Sequence, residues 1–116
     1  MDVRITNTTR GTELASDARI ARSSWARLAG LLGRGSLRPG EALVIEPCNS
    51  VHTAFMRFTI DVLYIDRERR VAKAVNALRP FRVSSALRSA RSVIELPAGV
   101  IAATGTAVGD QLQFDS

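Results

Sequence analysis

The sequence predicts an α+β fold built on a mainly antiparallel, curled or barrel-like β-sheet, with one main α-helix at about residues 24–32. Three observations carry this expectation. Six to eight short stretches rich in β-branched and aromatic residues are separated by Gly, Pro, Asn and Asp turn signals. Only one segment repeats apolar residues at clear helical spacing. Strands and helices do not alternate, so a doubly wound parallel sheet is not indicated. Curling or covering the sheet also hides its edges from pairing with other chains.

Taken in order, Val3 and Ile5 alternate with polar neighbours and read as a first strand. The run Asn7-Thr8-Thr9-Arg10-Gly11 is a turn signal. Leu14, Ala18 and Ile20 fall at even spacing, so residues 12–21 form a second strand hairpinned to the first, with Asp17 marking a kink or bulge. Ser23-Ser24 supplies an N-cap for the helix that carries Trp25, Leu28 and Leu32. Gly33 and Gly35 end it, and Gly30 within it costs about 1 kcal/mol relative to alanine. Residues 42–45 read as a short buried strand and 47–50 as a loop, while 51–58 and 60–65 read as extended. Residues 60–65 are apolar on both faces apart from Asp61, which predicts a central strand covered on both sides. The polar run 66–69 is an exposed hairpin turn, and 71–77 alternates as the return strand. Residues 79–92 form a basic loop, and 92–96 a strand closed by Pro97-Ala98-Gly99. Residues 100–104 make one helical turn ended by Gly105, and 111–114 the final strand.

A chain of 116 residues predicts a single domain over 1–116. With 46% hydrophobic and 23% charged residues it is neither disordered nor fibrous. The net charge is +5, and 15 of the 16 basic residues are arginine. The guanidinium fork matches phosphate oxygens, although codon usage in a GC-rich genome gives the same excess. The arginines are scattered and only six residues are aromatic, which disfavours a dedicated nucleic-acid binder. The single cysteine, Cys48, permits no disulfide within the chain. No segment approaches the roughly 18 consecutive apolar residues of a membrane helix, and the first residues alternate like a strand, so a cytoplasmic location without membrane contact is expected.

The densest polar cluster within apolar sequence is Cys48, His52, Arg57 and Asp61. Cysteine, histidine and aspartate are the parts of an activated thiol nucleophile and are also zinc-ligand types. One cysteine and one histidine leave a structural zinc site short of ligands, and Cys48 also suits a small buried hydrophobe, so neither a metal nor a cofactor is predicted. Asp61 lies between Ile60 and Val62, and a buried carboxylate must be paired or hydrogen-bonded. Arg57 and His52 are its candidate partners, either as a structural ion pair or as the lining of a pocket for a small anionic ligand. Arg79, Arg82, Arg88 and Arg91 are candidate phosphate or nucleic-acid contacts, or simply solvated loop. The glycines at 99, 105 and 109 fit no phosphate-cradle spacing, and turns account for them.

Four stretches together resemble one family. They are Arg27-x-x-Gly30-Leu31-x-x-Arg34, then Pro47-Cys48-x-Ser50-Val51-His52-Thr53-x-Phe55-Met56-Arg57-Phe58-x-Ile60-Asp61-Val62, then Glu95-Leu96-Pro97-Ala98-Gly99, and finally Gly109-Asp110-x-Leu112. In this order they are similar to domain of unknown function 192, a family of small uncharacterised bacterial and archaeal proteins. The resemblance implies a compact, largely β domain and no established activity, substrate or cofactor. The family's signature falls on Gly30, His52, Met56, Asp61, Glu95, Gly99 and Asp110. Two departures stand out: residues 67–70 lack the glycine often found in that turn, and Thr59 stands where proline is common. The functional expectation is therefore a small non-catalytic or ligand-binding domain with a polar pocket around His52 and Asp61. The alternatives are an enzyme using Cys48, His52 and Asp61, or an arginine-mediated binder of nucleic acid or another polyanion.

Overall fold

The computed structural model describes residues 2–22, 37–48, 51–52, 58–80, 82–84 and 86–116, with the side chains of Asp2, Val51, His52 and Val83 outside that description. The helix expected at 24–32, with Trp25 and Leu28, and the extended stretch 53–57 fall outside the described residues. The strands are β1 (Asp2–Asn7), β2 (Thr12–Ala21), β3 (Glu41–Ile45), β4 (Val51–His52), β5 (Ile60–Ile65), β6 (Val71–Leu78), β7 (Val83–Ser84), β8 (Ser92–Pro97) and β9 (Leu112–Asp115). One short helix, Val100–Thr104, precedes β9. The protein is thus mostly β among its described residues.

Seven strands form one sheet in the order β6-β5-β8-β3-β2-β1-β9, and β4 pairs with β7 alone. All neighbours in the large sheet are antiparallel except β2 and β3, which run parallel through Asp17↔Glu41 to Ala21↔Ile45. The β1–β2 hairpin slips register between Val3↔Ala18 and Ile5↔Ala15, so β2 carries the extra residue near Asp17. The bulge is docked rather than loose: the N–H groups of Ser16 and Asp17 both donate to the Gly40 carbonyl, at 3.0 and 2.9 Å. Gly40 has φ +88°, a conformation that favours glycine, and a Cβ there would lie 2.7 Å from Ser16 Oγ, which would have to turn away.

The sheet curls until its two edge strands meet at one end. Arg70 and Gln111 form a bridge, Val71 N–H donates to the Asp110 carbonyl at 2.9 Å, and Leu112 N–H donates to the Arg69 carbonyl at 2.8 Å. A buried polar knot fixes this closure. Asp110 Oδ2 accepts from Asn7 Nδ2 at 3.0 Å, Arg10 Nε at 2.9 Å and Ala107 N–H at 2.9 Å. The hydrogen bond from Arg10 leads the effects that hold the Asp110 carboxyl down to about 2. Turn geometry explains Gly105 and Gly109, whose φ values are +69° and +94°.

Alternation along the central strands sorts side chains into two apolar clusters. Leu63 and Ile65 of β5, Val44 of β3, and Ile94 and Leu96 of β8 face the concave side with Ile5, Leu14 and Ile101. Ile60, Val62 and Tyr64 of β5, Leu43 of β3 and Val93 of β8 face the convex side with Leu37. All six residues of β5 are buried, as their two-sided apolar pattern predicts. Each fully buried Ile, Leu or Val contributes on the order of 1.5–3 kcal/mol relative to exposure. The basic loop expected over 79–92 differs in one respect: it contains the two-residue strand β7, whose Val83 pairs with His52.

Candidate functional site

The register of the large sheet determines which loops meet. Ile65 is opposite Ser92, Ile45 is opposite Val93, and Ala21 runs beside Ile45. The ends of β2, β3 and β5 and the start of β8 therefore share one end of the sheet. The segments that continue them converge there. Asp66 N–H bonds the Arg70 carbonyl at 3.0 Å, Arg91 N–H bonds the Ile65 carbonyl at 2.7 Å, and Cys48 N–H bonds the Arg91 carbonyl at 3.0 Å.

Each arginine at this end is held by a local cause. Asp66 Oδ1 accepts the N–H groups of Glu68 at 3.0 Å and Arg70 at 2.9 Å, a side-chain-capped turn that projects Arg67 from its tip. Arg69 takes φ +63°, the left-handed conformation for which a glycine would be the unstrained choice, and its guanidinium lies 4.0 Å from the Phe114 ring centroid. A second turn, closed by Ala90 N–H to the Leu87 carbonyl at 3.0 Å, carries Arg88 and leads into Arg91.

Between these loops lie two adjoining clefts of about 620 Å³ each, within the size range of small-ligand sites. The first is lined by Cys48, Arg67, Glu68, Arg88 and Arg91 among others. The second is lined by Arg22, Glu46, Arg67, Arg69 and Arg91 among others. Arg67, Arg88 and Arg91 are exposed, and among the described residues none of their guanidinium groups has a hydrogen-bond or ion-pair partner. Arg22, by contrast, pairs with Glu46 at 3.2 Å.

Asp61 lies elsewhere. It faces the concave side at the opposite end of β5 and is 1% exposed. Oδ2 accepts the N–H groups of Gly99 and Ile101, both at 3.0 Å, and Oδ1 accepts that of Ala77 at 2.9 Å. One carboxylate thus joins the turn before the short helix, the helix itself and a bulge in β6. Ala77 pays locally for its place in that bulge, with φ +55°. Replacing Ala77 with glycine is expected to raise the unfolding free energy by about 1 kcal/mol, measured by urea denaturation; the left-handed conformation costs a residue with a Cβ about that much.

Cys48 is half-buried and packs against the convex cluster. The structure therefore does not bring Cys48 and Asp61 together: they occupy opposite faces of the sheet and opposite ends of β5, with about 13 Å of strand between Asp61 and Ile65 at ~3.3 Å per residue. His52 is placed only through its β4 pairing with Val83, and Arg57 lies outside the described residues. Of the basic-loop candidates, Arg88 and Arg91 reach the clefts, whereas Arg79 and Arg82 are exposed and line neither. Among the described residues no three His, Cys, Asp or Glu side chains gather to hold a metal ion.

Sequence reasoning did not name Arg22, Glu46 or Asp66 as site residues, and it weighed Arg67 only among the arginines of 67–70 and 79–91 that a nucleic-acid binder would need on one face. The available signal was the density of charge at 66–69, but only the register of β5 on β8 shows that this turn faces Arg88 and Arg91. It also did not single out Glu95 for its surroundings. Glu95 lies on the convex face opposite Leu43 and Val62, is 5% exposed, and burial pushes its carboxyl up to about 7.

The fold and the closing knot at Asp110 define a curled-sheet protein of a recognisable type. The model of the DUF192 family, described as "Uncharacterized ACR", matches residues 5–114, and the chain belongs to that family. A UPF0127 protein of Pyrococcus furiosus is 32% identical over 115 residues, covering 94% of this chain and 96% of its own length. A UPF0127 protein of Pyrococcus horikoshii is 32% identical over 116 residues, covering 95% and 97%. Among solved structures, a protein of unknown function from Novosphingobium aromaticivorans superposes with a TM-score of 0.82 at 21% identity, covering 97% of this chain and 84% of that one. A Sinorhizobium meliloti protein with the provisional description of transcription regulator superposes at 0.80 with 20% identity, covering 97% and 92%. The family is uncharacterised, and no specific activity comes with membership. No helix among the described residues is long and apolar enough to cross a membrane.

Proposed function

We propose that this chain is a single ligand-binding domain, cytoplasmic and without catalytic chemistry of its own, whose ligand is a small anion held between Arg67, Arg88 and Arg91. The observation that carries the reading is the convergence of three exposed guanidinium groups, unpaired among the described residues, on one cleft. Arginine holds phosphate or carboxylate oxygens through paired N–H donors. In this reading Cys48 is part of the cleft wall, and Asp61 serves the site indirectly by holding the scaffold, since its oxygens already accept three N–H groups. Cys48 is the single cysteine of the sequence, so the site is built without a disulfide within the chain.

Thermal unfolding against phosphate, sulfate and citrate tests the reading. A ligand at about 100 times its dissociation constant adds roughly 2.7 kcal/mol, which in a domain of this size raises Tm by on the order of 10 °C. The Arg67→Ala/Arg91→Ala double variant is expected to lose the rise, and Arg79→Ala to keep it. No rise with any anion, or an equal rise in the double variant, contradicts the proposal.

A nucleic-acid reading has one observation in its favour, the description of the Sinorhizobium meliloti neighbour, together with the net charge of +5. It needs the arginines of 67–70 and 79–91 on one face, and Arg79 and Arg82 stand away from the clefts. The small anion is therefore preferred.

A further inference from the structure

The two clefts are not independent. Both are walled by Pro47, Asp66, Arg67 and Arg91, so they run side by side along one ridge. Arg88 lines only the first, whereas Arg22 and Arg69 line only the second. Five arginines thus line the trough of the joined clefts, with the shared pair, Arg67 and Arg91, between those that line one cleft alone, although the Arg69 guanidinium itself packs over Phe114. Three carboxylates also border the trough, and two of them are already engaged. Glu46 is ion-paired with Arg22, and Asp66 Oδ1 accepts two turn N–H groups. A single phosphate group meets its needs with one or two arginines and leaves at least one of Arg67, Arg88 and Arg91 without a counter-charge.

Resting on the anion-binding reading, we infer that the two clefts act together as one site for a ligand with two or more linked phosphate groups, a phosphoanhydride chain such as a diphosphate or triphosphate. Its terminal group lies by Arg88, its inner group between Arg67 and Arg91, and the remainder extends toward Arg22. The class is set by the linear order of the cations rather than by their number. A compact trianion of the same charge fills only one cleft.

Calorimetric titration of the full chain with orthophosphate, pyrophosphate, tripolyphosphate and citrate separates the possibilities. Tripolyphosphate is expected to bind at least tenfold more tightly than orthophosphate or citrate. Arg22→Ala and Arg88→Ala, both at exposed positions, are each expected to weaken tripolyphosphate at least fivefold, while only one of them affects orthophosphate. Unchanged Tm values for the unliganded variants confirm that folding is intact. If orthophosphate binds and tripolyphosphate binds no more tightly than orthophosphate or citrate, the joined-trough inference fails and the anion reading survives. If no anion binds, both fail. Tighter binding of a mixed-sequence RNA 12-mer than of tripolyphosphate, erased by added salt, overturns the inference in favour of a nucleic-acid backbone.

Discussion

Asp61→Ala lowers the unfolding free energy by about 4 kcal/mol and Tm by roughly 15 °C, the largest effect expected of any single substitution away from the apolar clusters. Three backbone N–H groups, those of Ala77, Gly99 and Ile101, donate to this one carboxylate. Hydrogen bonds to a charged acceptor contribute about 1.5–3 kcal/mol each, and removing the acceptor leaves the buried N–H of Ile101 without a partner and those of Ala77 and Gly99 in part-buried positions. Domains of this kind have only about 5–15 kcal/mol in total, so the variant retains a much reduced margin. Asp61→Asn sits between the two. It keeps one acceptor oxygen for two of the donors but turns an amide N–H₂ toward the third. Urea denaturation of the three proteins checks the order wild type, Asn, Ala. A loss below about 1 kcal/mol for Asp61→Ala contradicts the scaffold role.

Glu95 has the opposite character and the second-largest effect. Its carboxyl is raised from an ordinary 4.5 to about 7 by burial among Leu43, Val62 and their neighbours. Below pH 4.5 the acid is neutral in both the folded and unfolded states, so it has no effect on the folding equilibrium. Between 4.5 and 7 the unfolded chain releases its proton while the folded chain keeps it, and stability declines with rising pH. Above 7 the full cost is present, about 3 kcal/mol for a difference of this size. Glu95→Gln removes the titration. The variant is expected to match the wild type near pH 4 and to exceed it by up to about 3 kcal/mol at pH 8, measured by urea denaturation at both values. A difference that does not change with pH contradicts the burial argument. Asp110 imposes the acid limit: its carboxyl is held down to about 2, so its contribution is present above the ordinary 3.8 and is lost as pH falls toward 2. Together the two carboxylates place the maximum of stability near pH 4–5.

Much of the fold was legible because local pattern and final environment agree. The two-sided apolar run at 60–65 became the fully buried β5. Asp17 marked a real slip in the β1–β2 ladder, and Gly99 and Gly105 bracketed the short helix. The parallel pairing of β2 with β3 carried no such mark, because it depends on the long connection between them rather than on either strand. The site was harder to read for a related reason. Alternation shows that Asp61 is inward but not that its partners are backbone N–H groups from residues 77, 99 and 101, since any sequence supplies those. Cys48 and Asp61 are close in sequence yet are separated by the sheet. Arg22, Arg67 and Arg91 are distant in sequence yet are gathered by strand register, which composition does not encode.

The most direct test of the arginine cleft is a map of amide chemical shifts in the ¹⁵N-labelled protein as pyrophosphate is added. The account predicts that the perturbed amides cluster at Cys48, Asp66–Glu68 and Ser89–Arg91, with those of Ala77, Gly99 and Ile101 around Asp61 unmoved. Perturbation centred on that second group, or none at saturating pyrophosphate, would contradict it.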